Sequence, residues 1–265
     1  MKLTVQTVVK NEDRWVYFAL QSVLPFVEKI LVFDTGSTDK TVEAIKSTNS
    51  SKIIFEEKGL VDGEGLVKLR REQLEMTKTE WFLLLDGDEI WPRQQLRKLL
   101  EEAEKSPPDT LAIFNRVKNC IGDVYHLLPE SAGRYKISDI KGNLNTRLIK
   151  KIPGLQISGS YPLEYYFDGN GPIQDQTGKM VFADVWYLHA SFLKRSTSAA
   201  GKVSGSFGRS RIWQKGLNLS ADELPEVFFL PRPPFVPDPL EKRSRFYEAG
   251  AIFTSPLIEL KRKLK

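Results

Sequence analysis

Residues 81–85 read Trp-Phe-Leu-Leu-Leu and stop abruptly in Asp86-Gly87-Asp88-Glu89. Five consecutive large apolar side chains suit a strand buried on both faces, as in a parallel sheet covered by helices. Ligands bind to such sheets outside the carboxyl ends of the strands, so the three carboxylates stand where a ligand would. Gly87 lets the chain turn and come close to a neighbour. Clustered carboxylates repel unless a cation joins them, and oxygen donors select a hard divalent ion, Mg²⁺ or Mn²⁺. The competing reading makes Asp88 or Glu89 the cap of a helix starting near Pro92.

Around this strand, residues 1–105 alternate strand and helix. Strands are expected at Leu3–Val9, Ile30–Phe33, Ile53–Phe55 and Trp81–Leu85. Asn11 is placed to cap a helix running to about Leu24, and Ser37 or Asp39 a helix from Lys40 to about Ser47. Further helices are expected at about Leu66–Met76 and at Arg93–Lys105, where Leu96, Leu99, Leu100 and Ala103 form one stripe. Such alternation predicts an α/β fold with a doubly wound, mostly parallel sheet flanked by helices.

Beyond Pro107-Pro108 the alternation weakens. Strands are expected at Leu111–Phe114, Asp123–Leu128, Asn145–Lys150 and Met180–Leu188, giving an α+β half over 106–220 that carries the partner-binding surface. Residues 194–216, with Gly201, Gly205 and Gly208 among Ser, Lys and Arg, read as a flexible loop. Six prolines between 225 and 239 open an extended C-terminal segment, 221–265, that wraps the surface.

The 265 residues are 41% hydrophobic and 11% aromatic, enough for one substantial core. No apolar run approaches a membrane span, and Leu3 onward is strand rather than a signal peptide. One cysteine, Cys120, and two histidines, His126 and His189, make a structural zinc site untenable. A reducing, cytoplasmic setting follows. The net charge is +5, much of it late in the chain, and no nucleic-acid-binding signature accompanies it. Diphosphate groups or an anionic inner membrane face are the alternative users of that charge. In the last stretch, Leu257, Ile258, Leu260 and Leu264 lie opposite Lys261, Arg262, Lys263 and Lys265, a pattern for peripheral membrane contact or for packing on the domain.

Three strand ends carry polar groups, and in a parallel sheet they meet along one edge. Asp34, followed by small hydroxyl residues at a helix start, suits a ribose or base partner beside a phosphate. The ordinary alternative is a capped turn.

Thr7-Val8-Val9-Lys10-Asn11-Glu12, Val32-Phe33-Asp34-Thr35-Gly36-Ser37-Thr38-Asp39 and Leu84-Leu85-Asp86-Gly87-Asp88-Glu89 resemble, in order and spacing, the successive blocks of family 2 glycosyltransferases with the GT-A fold. The resemblance implies a nucleotide-diphosphate-sugar donor (UDP-, GDP- or dTDP-linked), a divalent metal at Asp-x-Asp, and transfer with inversion. The acceptor would be a glycan, a lipid-linked sugar or a protein, in glycan or cell-envelope polysaccharide synthesis. By position, Val9, Asn11, Glu12, Asp34, Gly36, Ser37 and Asp39 would line the nucleotide. Asp86 and Gly87 would lie by ribose and metal, and Asp88 would ligate the metal, with Asp86 assisting. Arg70, rather than Arg71, matches the basic residue that points to the diphosphate.

Asn145–Lys150, then Gly159-Ser160-Tyr161-Pro162-Leu163-Glu164, resemble the Arg-Leu-Phe-Arg and Gly-x-Val-His-Glu blocks of a subgroup, with Leu163 replacing the usual His. Glu164 is the first choice of general base, with Asp168 and Glu130 in reserve. His189, after Val185–Leu188, would complete the metal shell, and Lys194 and Arg195 would close over the diphosphate. His126 has no such context and is read as structural. A haloacid-dehalogenase phosphohydrolase would carry its Asp-x-Asp after the first strand, followed by Gly-Thr. A sugar-nucleotide pyrophosphorylase would carry a Gly-rich basic loop after strand one. A non-catalytic nucleotide-sugar-binding scaffold is the remaining alternative.

Overall fold

In the computed structural model, which describes residues 1–198 and 213–263, the chain is built around one twisted mixed sheet. Strands β1 (Leu3–Val9), β2 (Lys29–Asp34), β3 (Ile53–Glu57) and β4 (Trp81–Leu84) are parallel, in the spatial order β3-β2-β1-β4. The two-residue β5 (Glu89–Ile90) follows the acidic turn. Then come β6 (Ala112–Ile121), β7 (Asp123–Leu127), two short strands β8 (Tyr135–Ile137) and β9 (Ile140–Gly142), and β10 (Leu144–Lys150). A small hairpin, β11 (Gln156–Ser158) with β12 (Tyr165–Phe167), precedes the long β13 (Met180–His189), and β14 (Leu217–Asn218) is an edge strand.

Strand β10 lies antiparallel against β4, and β6 antiparallel against β10, so the parallel pattern ends where the strand-helix alternation ends in sequence. Strand β13 runs parallel to β6 and antiparallel to β5. It thereby brings its last residue, His189, opposite Glu89.

Helices α1 (Val16–Val23), α2 (Thr41–Lys46) and α4 (Arg93–Lys105) cover one face of the sheet. Helix α3 (Gly63–Met76) and the β11–β12 hairpin cover the other. Alternation within β4 shows the division: Leu83 joins the first apolar layer, Phe82 the second. Polar ties also fix α3 to the sheet. Gln73 donates from Nε2 to the carbonyls of Thr7 (2.8 Å) and Leu31 (3.2 Å), and Gln6 donates to Thr77 Oγ1 at 2.8 Å. These ties set the rotation of α3 and hence where Arg70 points.

Several local expectations differ from the structure. Helix α1 begins at Val16, not near Asn11, because Asn11 adopts a left-handed conformation (φ 54°) and spends its side chain on the Thr38 N–H at 2.8 Å. Helix α3 starts three residues early, since Asp62 caps it through Gly65 N at 2.7 Å. Neither Asp88 nor Glu89 caps α4, whose N-cap position is Pro92. Glu89 is instead the first residue of β5.

The proline-rich segment does lie on the domain, and part of it is core. Val227, Phe228 and Val236 are buried, and Phe228 meets Phe18 of α1 edge-on at 5.5 Å between ring centroids. Helix α5 (Arg245–Lys263) follows this segment and holds the apolar and basic residues of the last stretch as far as Lys263. The flexible-loop expectation for 194–216 falls largely on 199–212, outside the described residues.

Candidate active site

Register makes the strand ends coincide. Val9 of β1 pairs with Asp34 of β2, Gln6 with Leu84 of β4, and His189 of β13 with Glu89. Polar segments that are far apart in sequence therefore converge on one edge of the sheet.

The two turns after β1 and β2 are stitched together. Asp34 accepts from the backbone N–H of Gly36 (3.0 Å) and Ser37 (2.9 Å), and from the Ser37 hydroxyl. Ser37 Oγ accepts from Asn11 N at 2.9 Å. Asp39 accepts from Thr41 N at 3.0 Å and from the Ser196 hydroxyl, while Thr41 Oγ1 accepts from Glu12 N at 2.7 Å. Asp34 and Asp39 thus hold their own turns in shape, and the backbone they order, including Gly36, forms the rim of the site.

Gly87 is a contact requirement. A Cβ built there would lie 2.9 Å from Glu12 Cγ and 3.1 Å from Val9 Cγ1, so the acidic turn can press against β1 only without a side chain. Glu12, 1% exposed, lies under that contact and pairs with Arg195.

The three carboxylates of 86–89 have separate partners. Arg147 of β10, buried in the sheet, reaches Asp86 Oδ2 at 2.6 Å and also bonds Glu89, which is fully buried. Arg70 approaches Asp86 Oδ1 at 3.5 Å. Burial would raise the Asp86 carboxyl, but Arg147, Arg70 and His189 outweigh that and hold it at about 2. Burial pushes Glu89 upward against the pull of Arg147. The Tyr187 hydroxyl accepts from Asn145 at 3.0 Å and from Arg147 at 3.3 Å, so the guanidinium is fixed from behind.

Asp88, 3% exposed, faces the other way. His189 Nε2 is 3.4 Å from Asp88 Oδ1, and Arg195 Nε is 3.7 Å from Oδ2. Burial alone would lower the His189 pKa, but Asp88, with Glu89 and Asp86 beyond it, raises it above the ordinary imidazole value.

A divalent ion fits these residues. Two neighbouring ligands of an octahedral ion at about 2.1 Å lie roughly 3 Å apart, close to the Asp88–His189 separation. Among the described residues no set of three or more His, Cys, Asp and Glu forms a complete cage. One or two protein donors completed by phosphate oxygens and water is the usual composition for Mg²⁺-like ions. Asp86 is engaged by two guanidiniums, so Asp88 and His189 are the two groups that could serve as donors.

Glu164 stands at the mouth of the β11–β12 hairpin. Gly159 (φ +93°) makes the turn tight, since a Cβ there would lie 2.6 Å from the Leu163 carbonyl oxygen. Tyr161 N bonds Gly63 O at 3.4 Å, seating this loop on the start of α3. Glu164 Oε2 is buried with no hydrogen-bond partner among the described residues. The carboxylate lies within electrostatic reach of Tyr166, whose hydroxyl burial pushes up to about 12 and which also senses Arg70 and Arg147. Asp168 and Glu130, by contrast, are satisfied: Asp168 accepts from Gln176 at 2.8 Å, and Glu130 from Asn143 N at 3.2 Å, with Arg116 beside it.

Lys194 is exposed, and its carbonyl accepts from Trp15 Nε1 at 2.9 Å. Its neighbour Arg195 is the residue that enters the site. Asp13 holds the next segment by accepting from Thr197 N at 2.8 Å. Arg71 turns away and donates to Ile157 O. His126 is bonded through Nδ1 to Asp123 at 2.6 Å, a structural role. Sequence reasoning placed Arg147 in the block resembling Arg-Leu-Phe-Arg but gave it no role in the site. Its signal was a guanidinium within a strand whose next residues, Leu148 and Ile149, are core.

The family model for glycosyl transferase family 2 matches residues 4–158. No curated protein matches the sequence. Among solved structures, the chain is similar to S. aureus TarS 1–349 in complex with UDP-GlcNAc, with a TM-score of 0.50 and 15% identity. That match covers 77% of this chain and 62% of the other, so the chain spans about three fifths of that TarS fragment. It is also similar to glucosyl-3-phosphoglycerate synthase from Mycobacterium tuberculosis in complex with Mn²⁺ and UDP-glucose. There the TM-score is 0.46 at 13% identity, over 71% of each chain. At these identities the likeness is one of fold.

Proposed function

Because this chain belongs to glycosyl transferase family 2, we propose that it transfers a sugar from a nucleotide-diphosphate donor to an acceptor hydroxyl with inversion, using Mn²⁺ or Mg²⁺. The observation that carries the reading is the pairing of buried Asp88 with partly exposed His189, 3.4 Å apart where three strand ends converge, with Arg195 and Arg70 close by.

Asp88 and His189 would hold the ion, which as a Lewis acid would stabilise charge on the departing diphosphate. The chain's own groups account for the other requirements. The 34–39 turn, kept rigid by its internal hydrogen bonds, presents backbone and hydroxyls to the nucleoside. Arg147 fixes Asp86 as a permanent carboxylate toward the ribose. Arg70 and Arg195 supply positive charge where the leaving group becomes more negative.

Glu164 takes the proton from the acceptor hydroxyl. The acceptor oxygen then bonds to the anomeric carbon from the side opposite the diphosphate. The carbon–oxygen bond to phosphate breaks, and the nucleoside diphosphate leaves with its electron pair. One displacement inverts the centre. The unsatisfied, buried Glu164 Oε2 supports this assignment over Asp168 or Glu130.

The test is slow donor hydrolysis by the purified chain, screened over UDP-, GDP- and dTDP-sugars with Mn²⁺ and without acceptor. Asp88→Ala should abolish it. Unchanged hydrolysis in that variant would remove the reading.

A further inference from the structure

Helix α5 has two apolar faces; one is packed, and among the described residues the other is largely exposed, touched only at its start, where Phe246 meets the Trp213 ring edge-on at 5.4 Å. The inward face is anchored on the turn between β6 and β7. Tyr247 lies against Gly122, Gly250 against the Trp213 ring, Ala251 is fully buried, and Arg262 bonds Gln214. Arg243, just before the helix, clips it by bonding Glu248 and the carbonyls of Gln214 and Lys215.

The opposite face carries Phe246 (72% exposed), Phe253 (78%), Leu257 (63%) and Leu260 (56%), at helical spacings of three to seven residues. With Ala249 and Pro256 between them, they form a continuous stripe about 100° wide. Ile252, 64% exposed, borders it. A stripe of this kind on a helix about 28 Å long marks an interaction surface.

The flanks say what kind. Arg245 and Lys242 precede the stripe, and residues 261–265 read Lys-Arg-Lys-Leu-Lys, against one acid, Glu259, in the second half of the helix. A second copy is a poor occupant. A pairing seam with Phe246, Phe253 and Leu260 at one core position has Ala249, Pro256 and Lys263 at the other. Large apolar side chains bordered by cations match the boundary of an anionic lipid layer, where the stripe sinks below the headgroups and the cations meet phosphates.

We propose that α5 docks the protein, by this outward face, onto an anionic membrane surface. The placement has a consequence for the candidate site. Strand β6 runs parallel to β13, with Asn119 beside His189, so the turn that seats α5 is at the same end of the sheet as Asp88 and His189. The docking does not depend on the transfer reading, but it would bring that site to the lipid.

The experiment is vesicle flotation of the full chain. It compares phosphatidylcholine alone with phosphatidylcholine carrying phosphatidylglycerol, alongside the double variant Phe253→Ser/Leu257→Ser. The expected result is flotation with the anionic vesicles and little with the neutral ones. The double variant should lose it by at least about tenfold. Its melting temperature should stay unchanged, because those side chains face solvent. No flotation with anionic vesicles, or equal flotation by the variant, overturns the proposal. So does a dimer in light scattering that the same variant dissociates, which would assign the face to a second copy.

Discussion

Asp86, Asp88 and Glu89 differ by the side chains that reach them. Asp86 and Glu89 share Arg147, while Asp88 is left to His189 and Arg195. Arg147→Met leaves a fully buried Glu89 without its cation, and breaking a buried pair from one side costs about 3–5 kcal/mol. Urea denaturation should show a loss of that size. A loss below about 1 kcal/mol would mean that the arginine is dispensable to the turn. Glu164→Gln should lower the transfer rate by about 10²- to 10⁴-fold while donor affinity, read by titration calorimetry, stays the same. The motif residues Asp86, Asp88 and His189 were visible in sequence. Which carboxylate keeps a free face was not, because it depends on the register of β10 against β4. Asp34 and Asp39 show the same limit. Their positions were marked, but Asp34 spends its acceptor capacity on its own turn and Asp39 divides its own between its turn and Ser196.

At the scale of elements, helix α4 was legible to its end residues from one stripe of Leu96, Leu99 and Ala103. Helix α1 was not, because Asn11 looks like a cap and serves instead as a strap between two turns. The proline-rich segment was legible as a wrap, but not as core. Its prolines hide Val227 and Phe228, and the Phe228 ring packs on Trp15 and Phe18 at the start of distant helix α1. Phe228→Ala should therefore destabilise the protein by about 3–5 kcal/mol, as for other buried aromatics. A change under about 1 kcal/mol in a denaturant titration would show that the segment merely rests on the surface.

For the whole molecule, strand-helix alternation foretold the parallel half of the sheet and stopped foretelling where β10 reverses direction. Strands β6 and β13 pair, in parallel, between positions about 70 residues apart with loops and hairpins between them, so no local pattern records their pairing. Cys120 reports on the integrity of this assembly. Burial pushes its thiol well above the usual value, with Asp123 and Asp88 adding to the shift, so the native protein holds no reactive thiolate near pH 8. A disulfide-exchange reagent should modify it only on unfolding, and rapid labelling of the native chain would contradict the packing described here.

The proposed transfer requires that Asp88 and His189 together hold a cation that binds a diphosphate. It is tested most directly by calorimetric titration of a UDP-sugar into the protein with and without Mn²⁺, using wild type, Asp88→Asn and His189→Gln. Tight binding only with Mn²⁺, abolished in Asp88→Asn and weakened at least about tenfold in His189→Gln, is the predicted result. Equal affinity in all three proteins, or binding indifferent to the ion, would contradict it.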